Sequence, residues 1–428
     1  MAKEFKYRDI VENKEYRKLL FTNLINRFGD SIDAIAFTWL VYQITRSASW
    51  SALVFGLNVL PNIIVQPFAG AFVEKLDKKK VIIWTHILRG LVISAFVVLY
   101  LVGVVNPFLM AAFTLVITTI ESFNLPASTA FIPNIIKKEH LTHAMSLNST
   151  LSSTVALIGT GLAGVIIAKF GIYTAMLIDA ATFVMAAVGV ASLKPVAEKE
   201  DEIGQDSQPQ KSDESFRSLF IGGVEYVRKS RVILNYCLVV VVLNFLLVPL
   251  NALQAPIVEE CYKMGSELLS VMGMAAAVGS IIGSALIPKI TGKMNPKKIL
   301  VTFGMFAGVG MYALTLGKFL NGAVIPGYLL AGMSFMIMTF SVSIMAGTLS
   351  IQFVKSVDKK YLARAAAVFN ASGSAATPVG SILVSLAAVH ISAATLIVIS
   401  ATLGMVLFIV VAISDMGFEM EEKIPDAA

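Results

Sequence analysis

The chain has 428 residues, of which 56% are hydrophobic and only 14% are charged. Soluble domains carry about 25% charged residues, so this composition excludes a chain whose whole surface faces water. The net charge is +6, but the basic residues cluster at the ends of predicted helices. That distribution favours a membrane protein over a nucleic-acid-binding one.

The apolar residues occur in twelve blocks of about 20 or more, the length that a helix needs to cross about 30 Å of hydrocarbon. A charged, amphipathic segment without the pattern of a cleaved signal peptide precedes the first block. We predict transmembrane helices over residues 18–43, 50–73, 81–105, 107–132, 144–168, 172–193, 231–256, 267–290, 298–317, 323–350, 365–390 and 392–414.

A polar segment divides these helices into two sets of six. Residues 194–217 are rich in Glu, Asp, Lys, Gln and Ser and lack an apolar period, which is typical of a flexible linker. We therefore predict a six-helix half over residues 1–193, a cytoplasmic linker with an amphipathic helix over 194–230, and a second half over 231–428. Weak internal similarity between the halves is typical of transporters built from repeats.

Lys and Arg are distributed unequally over the predicted loops. If both termini are cytoplasmic, 28 of the 34 Lys and Arg residues fall on the cytoplasmic side and four on the outer side. Cytoplasmic loops hold the excess of these residues in membrane proteins. The sequence therefore predicts a multi-pass protein of the cell membrane with an even number of spans and cytoplasmic termini.

The loop after the second span carries Gly70, then Glu74-Lys75, then Asp77 and three lysines. This pattern resembles the inner-loop signature of the major facilitator superfamily, in which a glycine is followed by an Asp-Arg pair. The resemblance implies an all-α, twelve-span bundle of two six-helix halves that rock about a midplane site. It also implies that Gly70 lets two helices approach closely and that Glu74, Lys75 and Asp77 form a cytoplasmic gate. The alternative is a plain positively charged loop.

Further segments resemble the drug-exporting branch of this superfamily typified by bacterial macrolide efflux proteins. They start at Asn26, Trp39, Leu125 and Phe245. The sequence departs from the branch in the fifth span, where the Gly-Pro pair of the antiporters appears as Gly159-Thr160. The resemblance implies a secondary active transporter that exports lipophilic drugs, macrolide-like or cationic.

Four acids fall inside predicted spans, namely Asp30, Asp33, Glu121 and Asp179. A charge at membrane depth costs at least about 2.5 to 3.5 kcal/mol on insertion scales, so such residues face a cavity or a partner. Arg27 lies three residues before Asp30, about 60° away in helical projection. We predict that Arg27 pairs with Asp30, and that Asp33 faces the cavity and carries the coupling proton. The alternative is a structural network that fixes helix packing.

The remaining buried charges receive separate predictions. Glu121 is a third candidate for proton coupling, because it precedes a polar and aromatic face that could touch a ligand. Asp179 is expected to hold helices together or to contact water in the outer vestibule. Arg89 is expected to be a structural charge that acts as a gate or extends to the membrane surface. His86, one turn earlier, is expected to be a packing residue.

Polar amides and aromatic residues at the depth of the membrane could line a central cavity. With abundant methionine they predict an adaptable, largely apolar pocket that suits amphiphilic ligands. The candidate substrate-binding residues are Trp39, Asn58, Asn62, Phe123, Asn124, Asn244, Asn251 and Gln254.

No phosphate-binding loop, zinc-protease motif or Ser-His-Asp arrangement stands out in the sequence. We therefore predict no enzymatic activity, no cofactor and no metal site, and we expect an ion gradient to supply the energy. The expected partners are a small amphiphilic substrate, protons and the lipid bilayer, with no nucleic acid, and the chain is expected to be monomeric. The alternatives keep the fold but change the cargo to a siderophore, a lysophospholipid or a divalent metal. A membrane sensor would need a larger soluble domain than the linker and tails provide.

Overall fold

The computed structural model describes residues 12–136, 140–194, 224–358 and 361–414. The described residues form helices and the segments that connect them, and none of the described residues is in a β-strand. Most of the predicted linker, the lysines at 137 and 138, and the segments before residue 12 and after residue 414 lie outside the described residues. The chain divides into two compact units.

Unit 1 comprises residues up to 207 together with residues 254–259 and 263–274. Its helices are α1 (Lys14–Thr45), α2 (Ala48–Ile64), α3 (Gln66–Glu74), α4 (Lys78–Val102), α5 (Pro107–Phe131), α6 (Leu141–Phe170) and α7 (Ile172–Ala191). Most of α9 (Gln254–Glu260) and the first residues of α10 (Ser266–Thr291) also belong to this unit.

Unit 2 comprises residues 208–253, 260–262 and everything after 274. Its helices are α8 (Arg231–Ala252), the remainder of α10, α11 (Pro296–Thr315), α12 (Val324–Ser356), α13 (Leu362–Ala387) and α14 (Ala393–Ile413). Residues 224–229 form a further short helical stretch before α8.

Nine of the described helices are long and apolar enough to cross a membrane, or ten if the bent pair α2 and α3 counts as one span. Two long helices, α1 and α13, fall outside this set although they span 32 and 26 residues. α1 carries charged residues along its length, and α13 is rich in Ser, Ala and Gly. With these two helices the described chain has the twelve long segments that the sequence predicts.

The second predicted span is broken into α2 and α3, which are bent by 40°. Pro61 lies inside α2, and Pro67 occupies the first turn of α3. A proline removes one backbone N–H donor and clashes with the preceding turn, so it kinks a helix. The break at Val65 therefore follows from the local sequence.

Close packing in unit 1 depends on glycines in α1 and α7. A Cβ on Gly29 would lie 1.9 Å from Oγ1 of Thr182, and a Cβ on Gly189 would lie 2.2 Å from Oγ1 of Thr22. Small residues let helix backbones approach in membranes, where van der Waals contact stabilises their association. The glycines thus bring α1 against α7 and set the geometry of the charged residues between them.

Unit 2 has its own apolar core, in which α8, α11, α12, α13 and α14 contribute buried residues such as Tyr236, Leu300 and Phe353. Glycines again allow close contact: a Cβ on Gly279 of α10 would lie 2.3 Å from the carbonyl oxygen of Met336 in α12. Each unit is therefore packed around residues of its own helices.

Candidate functional site

A buried ion pair joins α1 to α4 inside unit 1. Nη2 of Arg89 lies 3.1 Å from Oδ1 of Asp30, and Nδ2 of Asn26 donates a hydrogen bond of 2.8 Å to Oδ2 of Asp30. The guanidinium carbon of Arg89 lies 4.2 Å from the ring centroid of Phe183 in α7. Arg89 is only 8% exposed. Both oxygens of Asp30 are therefore engaged, and the charge of Arg89 is held by an acid and an aromatic face.

This arrangement corrects two predictions. Asp30 pairs with Arg89 rather than with Arg27, and Arg27 is exposed. Among the described residues no ion pair involves Arg27. Arg89 does not extend to the membrane surface, because its guanidinium points inward to Asp30. Helical spacing made Arg27 a possible partner, but the packing of α4 against α7 gives Asp30 a better one.

The other intramembrane acids interact electrostatically with the same guanidinium. The strongest electrostatic partners of Arg89 are Asp30, Glu121, Asp179 and Asp33. These residues come from α1, α4, α5 and α7. We call these five residues the charge cluster. It contains all four acids that the sequence placed inside spans, with one cation among the five members.

Two acids of the charge cluster have unpaired oxygens. Oδ1 of Asp33 and Oδ2 of Asp179 are buried and have no hydrogen-bond partner among the described residues. Asp179 is 0% exposed, and its Oδ1 accepts a hydrogen bond of 3.4 Å from Thr182. Asp179 is thus enclosed between α7 and α1, which agrees with the first of its two predicted roles, holding helices together, and not with contact to water in an outer vestibule. Asp33 and Glu121 are half-buried.

Several predicted substrate-binding residues make contacts inside unit 1. Oδ1 of Asn62 accepts a hydrogen bond of 3.1 Å from Ser122, and Nδ2 of Asn124 donates one of 2.7 Å to Thr85. The ring of Phe123 lies edge-on to that of Phe72, with centroids 6.4 Å apart. Trp39 is buried, Asn58 is exposed and Gln254 is half-buried. The role of these residues in binding stays a prediction.

In unit 2 the predicted residue Asn244 lines a cavity of about 200 Å³. Its Nδ2 donates a hydrogen bond of 2.9 Å to the carbonyl oxygen of Val240 in the preceding turn. The other walls are mostly apolar and include Met311, Met345, Phe369 and Phe408. Asn251, the second predicted residue in α8, is exposed and does not line this cavity.

The end of α3 and the loop between α3 and α4 carry the predicted gate motif. No described atom lies within 4 Å of a Cβ placed on Gly70, so the close helix approach predicted there is not found in the described part of the chain. Asp77 caps α4, because its side chain accepts a hydrogen bond of 3.3 Å from the backbone N–H of Lys80. Glu74 and Lys75 are exposed, and their gating role stays a prediction.

Three contributors to the site were missed in the sequence. Asn26 lies four residues before Asp30, a spacing that places both side chains on one helix face and could have indicated their hydrogen bond. Phe183 gave no signal among the many aromatic residues. Nζ of Lys79 donates 2.7 Å hydrogen bonds to the carbonyl oxygens of Ala191 and Leu193 at the end of α7, where a cation is favourable.

Polar contacts also join helices of unit 1 at the C-terminal end of α1. Nε2 of Gln43 donates a hydrogen bond of 2.8 Å to Oε2 of Glu259 in α9, and Nη1 of Arg46 pairs with Oε1 of the same carboxylate. In addition, the backbone N–H of Gly164 donates a hydrogen bond of 2.6 Å to Oγ of Ser270. The contacts tie α9 and the first turns of α10 to α1 and α6.

The fold agrees with a sequence comparison, in which residues 19–381 match the Major Facilitator Superfamily. The chain belongs to this superfamily. The predicted fold class is therefore confirmed, as is the resemblance to its drug-efflux branch, and the protein is a multi-span membrane transporter that acts on a small molecule. Transporters of this superfamily are generally not enzymes.

Relatives with efflux names cover most of the chain. Macrolide efflux protein A of Streptococcus pyogenes is 25% identical over 383 residues, which is 89% of this chain and 90% of that protein. The multidrug efflux pump Tap of Mycolicibacterium fortuitum is 24% identical over 300 residues, 68% of this chain and 71% of that protein. These identities are modest, so the relatives' cargo is not transferred to this chain by similarity alone.

Solved structures share the fold. The crystal structure of the nucleoside transporter NupG superimposes with a TM-score of 0.74 at 12% identity and covers 93% of this chain and 98% of that one. A bacterial homologue of the iron transporter ferroportin in an inward-facing state gives a TM-score of 0.70 at 12% identity, with 94% and 99% covered. At these identities the likeness concerns the fold alone.

Proposed function

We propose that this protein is a proton-coupled exporter of lipophilic small molecules, macrolide-like compounds or cationic amphiphiles, in the cell membrane. Alternating access would move the cargo, with both termini in the cytoplasm as the distribution of Lys and Arg favours. The observation that carries this proposal is the charge cluster, in which one buried guanidinium pairs with Asp30 and interacts electrostatically with three further carboxylates of the spanning helices.

Charge balance supports protons as the coupling ion. If all four carboxylates of the charge cluster were ionised, the cluster would carry a net negative charge that Arg89 neutralises only in part. Burial of an unpaired charge is costly, so a protonated carboxyl is the favourable alternative. Binding of a proton would then change which partners Arg89 holds and could bias one state of the transporter over the other.

Within the cluster, the contacts favour different roles for the two acids of α1. Asp30 is engaged by Arg89 and Asn26, which suits a residue that positions the guanidinium and tunes the proton site. Asp33 has a buried oxygen with no partner in the described chain, which suits a residue that binds and releases the coupling proton. Glu121 in α5 is the third proposed member of the proton site.

The cargo proposal rests on two independent supports. Macrolide efflux protein A and the pump Tap are named for drug efflux and match the chain over most of its length. The cavity of unit 2 offers methionine and aromatic side chains with one amide, Asn244. Such walls suit the apolar part of an amphiphile, because flexible thioethers adapt to ligands of different shape.

Drug susceptibility in a bacterial host that lacks its own efflux pumps tests this function. Expression of the chain should raise the inhibitory concentration of erythromycin or of a lipophilic cation at least fourfold. Asp33→Asn should abolish the protection, because its amide cannot release a proton. Glu225→Gln is the matched control, since Glu225 is an exposed acid paired only with Lys229 among the residues described. Equal susceptibility with and without the wild-type chain would refute drug export.

A further inference from the structure

A second, smaller cavity lies in unit 1 beside the charge cluster. Its volume is about 70 Å³. Unlike the cavity of unit 2, it has polar side chains on several walls, and they come from α1, α4 and α5. These polar residues are Thr22, Asn23, Asn26, His86, Asn124 and Ser128.

The cavity occupies the space between one end of unit 1 and the Asp30–Arg89 pair. Thr22 and Asn26 lie about 12 to 18 Å along α1 from its start, and Asp30 is one turn, about 6 Å, further on. His86 lies one turn before Arg89 on α4. Asn26 connects the two features, because it lines the cavity and donates its 2.8 Å hydrogen bond to Asp30.

This end of unit 1 is rich in basic residues, among them Lys18, Lys79 and Lys80. In the proposed topology it faces the cytoplasm. Apolar residues also line the cavity, among them Leu19, Ile82 and Ile132. Thr22 lies about two helical turns from the start of α1, so a proton crosses only about this distance between the cavity and this end.

Two side chains of the cavity wall have unsatisfied polar atoms. Oδ1 of Asn26 and Nδ1 of His86 are buried without a hydrogen-bond partner in the described residues. A buried polar atom without a partner is costly, and ordered water commonly satisfies such atoms. A cavity measured in this way needs at least about 10–15 Å³ to hold one water molecule, so this cavity has room for ordered water. Small shifts of the two side chains would bring their free atoms to these waters.

We propose that this cavity is hydrated and forms the route by which protons pass between the cytoplasmic end of unit 1 and Asp30. The inference rests on the proposed proton coupling. In the inward step a protonated Asp30 gives its proton to a water molecule in the cavity: one O–H bond breaks on Asp30, one forms in the hydronium ion, and the hydronium ion passes to the cytoplasm. Ionised Asp30 then holds Arg89 again.

The charged groups around this step favour a transfer that is reversible. Arg89 of α4 is paired with Asp30, and its other electrostatic partners are Asp33 of α1, Glu121 of α5 and Asp179 of α7. Proton binding at Asp30 frees the guanidinium for these other acids. His86 lines the cavity with its ring 5.9 Å from that of Phe183, and its buried Nδ1, which has no partner in the described chain, is available to bind cavity water.

Hydration of the cavity can be measured directly by pulsed hydroxyl-radical labelling of the purified full-length protein, followed by mass spectrometry of His86. Radicals form from water beside the side chain, so a buried His86 in contact with cavity water should be labelled at least fivefold faster than His86 in Ser128→Leu, which fills the cavity. Thr129→Leu is the matched control, because Thr129 is the next residue of α5 and is exposed. It should label like the wild type.

The same variants are then compared in proteoliposomes with radiolabelled erythromycin. Ser128→Leu should slow transport driven by a pH gradient at least tenfold and leave exchange without a gradient within twofold of the wild type, and Thr129→Leu should change neither rate. Should Ser128→Leu fail to fold, the smaller change Ser128→Val gives the same comparison. An unlabelled His86 in the wild type, or normal gradient-driven transport by a folded Ser128→Leu, would overturn the route. If His86 is labelled in the wild type but neither the wild type nor any variant shows gradient-driven transport, the proton coupling on which the route rests is refuted. The proton coupling and the route would then both be abandoned.

Discussion

Replacing Arg89 by Gln removes the buried cation that holds Asp30, so this change tests the charge cluster at its centre. Loss of one partner from a buried ion pair costs about 3–5 kcal/mol. The side chain of Asp30 is 24% exposed, so solvent screens part of its charge. The lower end of this range, about 3 kcal/mol, therefore applies. Loss of the contact with the Phe183 ring adds about 1 kcal/mol. The total of about 4 kcal/mol lowers the ratio of folded to unfolded protein about a thousandfold.

Arg27→Gln is the matched control, because it removes the same charge from an exposed site one turn from Asp30. Its free energy of unfolding should stay within about 0.5 kcal/mol of the wild-type value. Both variants can be unfolded by SDS in mixed micelles and followed by circular dichroism. Adding Asp30→Asn completes a double-mutant cycle, in which Asp30 should couple to Arg89 by about 0.5–3 kcal/mol and not to Arg27. Equal losses for the two arginine variants would refute the pairing.

Two further predictions concern helix packing and topology. Gly29→Ala should destabilise the protein by about 1–3 kcal/mol in the same SDS titration, because its Cβ would lie 1.9 Å from Oγ1 of Thr182. Gly70→Ala is the control and should stabilise the protein by up to about 1 kcal/mol. A greater loss of stability for Gly70→Ala than for Gly29→Ala would contradict the packing of α1 against α7. A cysteine at Lys169 should react with an impermeant maleimide added to intact cells, and one at Lys75 should react only after the membrane is opened. Labelling of the Lys75 variant in intact cells would contradict the proposed topology.

The sequence predicted the spans well because length and hydropathy alone decide whether a helix crosses a membrane. α1 and α13 were recognised although they are polar, since the spacing of the loops on either side required them. The break between α2 and α3 was not predicted, although Pro61 and Pro67 were visible. Two prolines six residues apart are compatible with a continuous kinked span, and only the backbone shows the 40° bend.

The membership of the charge cluster could be predicted, but its pairing could not. Counting acids inside apolar segments found all four carboxylates, because any charge in hydrocarbon requires a partner or a cavity. The choice of Arg27 relied on neighbours within one helix, the only distances that a sequence provides. Arg89 is 59 residues from Asp30 in the chain, and its approach depends on the packing of α1 and α4 around α7.

The close helix approach that the motif predicted at Gly70 is found instead at another glycine, Gly29. Gly70, which belongs to the loop signature, has open space around it, whereas Gly29 in α1 lies against Thr182 and Asp179. A glycine in an apolar segment shows that a close approach is possible, but the partner helix decides whether it occurs. For the same reason the polar cavity beside Asp30 could not be predicted, since its walls come from four separate helices.

The central claim is that a proton gradient drives export through Asp33, and accumulation of radiolabelled erythromycin in proteoliposomes with an imposed pH gradient tests it most directly. The wild type should accumulate the drug against its concentration gradient while the pH gradient lasts, and should stop when a protonophore collapses it. Asp33→Asn should equilibrate the drug without accumulating it. Undiminished accumulation in the presence of the protonophore, or by Asp33→Asn, would contradict the claim.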